Sequence, residues 1–94
     1  MSTYTAVVVH SETGGEGRYD FDYDGDLLAR SPVKVVRAFM DVVDKKYLPS
    51  EQVDYEINAA LKSPSGNTVT AMGSLIHEGD GASPFMMMIS KKPS

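Results

Sequence analysis

The chain contains no cysteine and no tryptophan. Without a thiol there is no disulfide framework, no Cys-ligated zinc or iron–sulfur site and no thiol nucleophile. Positive charge is also scarce: nine Lys and Arg stand against thirteen Asp and Glu, a formal net charge of −4. Affinity for nucleic acid comes largely from Lys and Arg displacing counterions, so this balance argues against a nucleic-acid partner. Long apolar runs are missing as well. Residues 6–9 and 84–89 are the longest, far short of the ~18–20 residues that a membrane span needs. The start of the chain has no basic segment ahead of an apolar one, and neither end carries a lipidation motif, so no membrane partner is expected. By elimination the sequence predicts a cytoplasmic protein.

What is present is an ordinary globular balance, with 41% hydrophobic and 23% charged residues in 94. That length predicts one domain, 1–94, with a single modest core. Residues 4–10 are Val-rich on both faces and read as a strand buried on two sides. The Gly-rich stretch 11–17 reads as a hairpin loop. Its Gly14, Gly15 and Gly17 make no phosphate cradle, because Glu16 repels an anion and no helix follows. Residues 18–24 then alternate strictly, with Tyr19, Phe21 and Tyr23 on one face and Asp20, Asp22 and Asp24 on the other, the pattern of a half-buried strand.

Ser31 and Pro32 suit the N-cap and first position of a helix. Val33, Val36, Met40, Val43 and Tyr47 form an apolar stripe widened by Val35, Phe39 and Val42, with Pro49 as the stop. The spacing allows i,i+4 pairs of Arg37 with Asp41 and of Asp41 with Lys45. Beyond Pro49 the period returns to two. Val53, Tyr55, Ile57, Ala59 and Leu61 share one face, and Asp54, Glu56, Asn58 and Lys62 share the other. Ser63 to Gly66 fits a type I turn. Strands follow at 68–78 and 84–90, separated by a loop around Gly79 and Gly81. The fold expected is α+β: a five-stranded, mostly antiparallel sheet with one helix packed across one face, in the order ββαβββ.

One helix covers one face of a sheet. The second and third strands carry polar outer faces, whereas the first and last are apolar on both. Should the first, fourth and last strands be neighbours, Val7, Val9, Met72, Ile76, Met86 and Met88 form an outer patch. A homodimer interface is the leading reading of that patch. A protein partner, a pocket for a small apolar ligand, and a sheet curled on itself are the alternatives. The run of Met86, Met87 and Met88 also reads more simply as a buried strand.

Three constellations carry chemistry. Asp20, Asp22, Asp24 and Asp26, with Gly25 and Leu27, match the first positions of a calcium-binding EF-hand loop. Ser31 stands where a bidentate Glu belongs, however, and the alternation spreads the acids along a strand. His10 and His77, each followed by acids, offer a metal or general acid/base site if their strand ends meet. The tyrosines and phenylalanine at 19, 21 and 23 resemble a base-stacking platform in spacing only, because aspartates separate them. The function expected is therefore a small non-enzymatic interaction domain with no cofactor. The alternatives are an enzyme using His10 and His77 and a calcium module using Asp20 to Asp26.

Overall fold

A computed structural model of the chain describes residues 2–10, 15–46, 54–77 and 81–92, with backbone only at 10, 15–16, 43–46 and 77. Strands β1 (Ser2–His10) and β2 (Gly15–Tyr23) form the first hairpin. A 3-10 turn at Leu27–Ala29 leads into helix α1 (Pro32–Lys46), and β3 (Asp54–Lys62), β4 (Thr68–His77) and β5 (Gly81–Lys91) follow as a meander. The sheet is open and antiparallel, in the order β2-β1-β5-β4-β3, so the last strand closes against the first. This is the expected ββαβββ architecture. The sheet does not curl on itself: β2 and β3 are its two edges.

Period-two alternation sends Tyr4 and Ala6 of β1, Phe21 of β2, Val69 and Ala71 of β4, and Phe85, Met87 and Ile89 of β5 to one face, where all are buried. Helix α1 lies across that face, with Val35, Val36, Phe39 and Met40 buried beneath it. Phe39 anchors it over β2, its ring 5.3 Å from Phe21 and 6.0 Å from Tyr19, while the helix also reaches β3 and β4. The buried face is thus centred on 35, 36, 39 and 40. Val33, in the first turn and at the margin of that stripe, is exposed. The side chains of Val43, Lys45 and Tyr47, and the residues around Pro49 and Val53, lie outside the described residues. Arg37 and Asp41 form no ion pair with each other.

Two polar ties hold the approach to the helix. The Tyr4 hydroxyl, deep in the core, donates to the Gly25 carbonyl (3.2 Å) and accepts from the Leu27 N–H (3.0 Å). This satisfies a buried phenol and fixes the loop after β2. Gly25 adopts φ 111°, a conformation that disfavours any other residue there. From the far edge, the Lys62 ammonium donates to the carbonyls of Leu28 (2.6 Å) and Arg30 (2.8 Å).

Lys62 reaches those carbonyls because β3 does not keep the simple alternation expected of it. The register slips between Ile57 and Ala59, a β-bulge that turns the second half of the strand over. Tyr55, Ile57, Ala60 and Lys62 face the helix, whereas Ala59 and Leu61 face outward with Asp54 and Glu56. The cause lies on the neighbouring strand: Gly73, paired with Ile57, accommodates the Glu56 carbonyl where a Cβ would sit, and any Cβ there would also crowd the Phe85 ring. Glycine inside a strand marks such close approaches. Pro84, inside β5, lies one residue past the His10–Phe85 pair and, among the described residues, pairs only with Ser74 of β4. The turn after β3 is as expected, with the Gly66 N–H donating to the Ser63 carbonyl at 2.9 Å.

Candidate functional site: the outer face of the sheet

The face turned away from α1 has no covering layer among the described residues. With β1, β5 and β4 adjacent, their outward side chains fall into rows across the sheet. Val7 stands beside Met88, which stands beside Thr70, which stands beside Leu61. In the next row Val9 stands beside Met86, then Met72, then Ala59. Ile76 and Pro84 extend the patch along β4 and β5. Val9, Met72, Met86 and Met88 each expose about half their surface, and Ile76 is exposed as well. All six residues expected to form the patch are on this one face.

Exposure departs from the sequence expectation at three places. The first strand is not buried on two sides, since Val9 is half exposed, and of the Met86–Met88 run only Met87 is buried. Leu61, which the alternation puts on the core face, is 71% exposed and extends the patch to the sheet's edge. The bulge put it there, and the mid-strand Gly73 was the signal that could have located the bulge.

Charge on this face lies at its borders: Arg18 of β2 stands exposed beside Val7, and two diagonally opposite corners carry acids. At one, the Thr3 and Thr5 hydroxyls donate to Asp22 (2.7 Å) and Asp20 (2.8 Å), and the Lys92 ammonium pairs with Asp20 at 2.7 Å. The hydrogen bond from Lys92, then that from Thr5, holds the Asp20 carboxyl below its ordinary range. At the other corner Asp54 and Glu56 are exposed beside Ile76 and Ser74. The middle of the face holds no charged side chain among the described residues.

The remaining candidates are dispersed. Asp20 and Asp22 lie along β2, already engaged by Thr5, Lys92 and Thr3, while Asp24 and Asp26 belong to the loop after it. No cluster of His, Asp or Glu fit for a metal ion occurs among the described residues. His10 and His77 end β1 and β4 at the same end of the sheet. His10 pairs with Phe85 and His77 with Gly81 on the intervening β5. Strand spacing and that offset set their backbones roughly 16 Å apart. Their side chains, and the acids at 12, 78 and 80, lie outside the described residues. Tyr19, Phe21 and Tyr23 face the helix as core, which leaves no stacking platform.

Away from this face, described residues line two further hollows. One of about 550 Å³ at the sheet end is lined by Asp26, Leu28, Asn67, Thr68, Ser90 and Lys91. Another of about 370 Å³ beside α1 is lined by Tyr23, Arg30, Lys34, Arg37 and Asp41. Neither touches the methionines of the outer face. No described helix is long and apolar enough to cross a membrane. Compared with protein-family models, curated proteins and solved structures, the chain matches none.

Proposed function

We propose that the protein is a small non-enzymatic interaction domain that pairs with a second copy of itself through the outer face of its sheet. The observation that carries this reading is the placement of Val7, Val9, Met72, Ile76, Met86 and Met88 on one uncovered face, free of charge at its centre. Contiguous apolar surface of this kind usually marks an interaction site.

Three features favour a second copy as the occupant. A two-fold contact needs a patch complementary to itself, and a sheet face with matching apolar rows meets that need. Two such faces pack about 10 Å apart, as in a β-sandwich. The molecule measures 39 × 27 × 21 Å, so its broad face, charged borders included, has a footprint of roughly 800 Å², about the area per partner of a standard interface. The unbranched thioethers of Met72, Met86 and Met88 adapt their shape to an opposing copy.

Sedimentation equilibrium at micromolar concentration tests the reading. A species near twice the 10.2 kDa chain mass is expected; a clean monomer overturns it.

A further inference from the structure

The lack of cysteine and tryptophan leaves methionine as the side chain most open to oxidation by peroxide. The methionines divide sharply. Met40 and Met87 are 6% and 2% exposed, whereas Met72, Met86 and Met88 are 49–50% exposed; Met1 lies outside the described residues. The three exposed ones are neighbours. Met72 is the direct cross-strand partner of Met86, and Met88 is the next outward residue along β5. They occupy the middle of the apolar face rather than its rim.

We propose that Met72, Met86 and Met88 form an oxidation site whose conversion to sulfoxides dissolves the self-association; this rests on the interface reading above. The reagent is a hydroperoxide, with hydrogen peroxide as the simplest case. A sulfur lone pair attacks one peroxide oxygen, the S–O bond forms and the O–O bond breaks. The oxygen now on sulfur gives up its proton to the departing hydroxide, which leaves as water. Each sulfur loses two electrons, and each peroxide gains them. The product is a strong hydrogen-bond acceptor placed among Val7, Val9, Ala59 and one another, where the Thr70 hydroxyl is the nearby donor. Burying such groups against an apolar partner without donors is costly. Pairing shields the sulfurs, so the separated chains react, and oxidation withdraws them from the association equilibrium.

The test treats the full chain with hydrogen peroxide, maps the oxidised methionines by peptide mass, and measures the dimer Kd by sedimentation. The expected result is one oxygen on each of Met72, Met86 and Met88, with Met40 and Met87 unmodified. The Kd rises about tenfold or more, and treatment with methionine sulfoxide reductases restores it. The M72L/M86L/M88L variant keeps an apolar face, so it should dimerise and ignore peroxide. A wild-type dimer whose Kd is unchanged with all three sulfoxides in place overturns the oxidation site and leaves the interface standing. So does a triple-leucine dimer that peroxide disrupts equally. A chain that is monomeric before any peroxide is added overturns both.

Discussion

Met86, Met87 and Met88 are consecutive and chemically identical, yet the outer two are half exposed and the middle one is 2% exposed. Parity along β5 alone separates them. The same division runs through the whole sheet: Val69 and Ala71 lie under the helix while Met72 does not, and Ala6 is buried while Val9 is not. Both faces are apolar, but among the described residues only one has a cover. In a chain this short, α1 shields a single side of the sheet, and the other side keeps a hydrophobic surface with no structural role inside the monomer. The inner face therefore accounts for the fold, and the outer face for the interaction proposed.

If that division holds, substitutions on the two faces separate stability from association. The largest effect on folding is expected at Phe39, whose ring fills the space between Tyr19 and Phe21. Phe39→Ala should cost about 3–5 kcal/mol in urea unfolding. A cost below about 1 kcal/mol would mean that the helix is not seated as described.

Tyr4→Phe comes next. It preserves the ring but leaves the Leu27 N–H and Gly25 carbonyl without the hydroxyl, for an expected loss of about 1–3 kcal/mol. Amide exchange should report where the loss falls, with protection at Leu27 falling more than protection at Ala6.

The outer face should behave in the opposite way. Met88→Glu places a charge in its centre but touches no core residue, so urea stability of the separated chain should stay within about 0.5 kcal/mol of wild type. Association should disappear. Coupling to a dimer makes the wild-type unfolding midpoint rise with protein concentration, and in Met88→Glu that dependence should vanish. A variant that unfolds outright would show that the two faces are not independent.

Much of this division was legible in the sequence. The alternation at Tyr19, Phe21 and Tyr23 and the stepping of Val36 and Met40 each identify an element from local period alone. The parity of Met86 and Met88 was equally readable, and it placed them with Val7 and Val9 once the strands were neighbours. Pairing itself is non-local: nothing between residues 2 and 10 states that β5 lies beside them. The misplacements of Ala59, Leu61 and Lys62 have one origin. Ala59 and Leu61 continue the period of Tyr55 and Ile57 perfectly well, and only Gly73, on another strand, opens the space for a bulge that turns them outward. Val33 fits the apolar stripe by spacing, but it stands in the first turn at the margin of that stripe and is exposed.

The smallest effect tests the border of the outer face. Asp20 is held below the ordinary carboxylate pKa of 3.8, first by the hydrogen bond from Lys92 and then by Thr5. A carboxyl whose folded pKa is depressed contributes stability above the unfolded value, and that contribution is lost as pH falls through the folded one. Asp20→Asn should therefore be slightly less stable than wild type at neutral pH, with the gap closing as pH falls through and below about 4. Because the pair is exposed, added salt should shrink the gap further. Carboxyl NMR should place the Asp20 midpoint below 3.8. A midpoint at or above it would mean that Lys92 and Thr5 do not hold the carboxylate, and the charged corner that bounds the apolar rows would lose its fixed geometry.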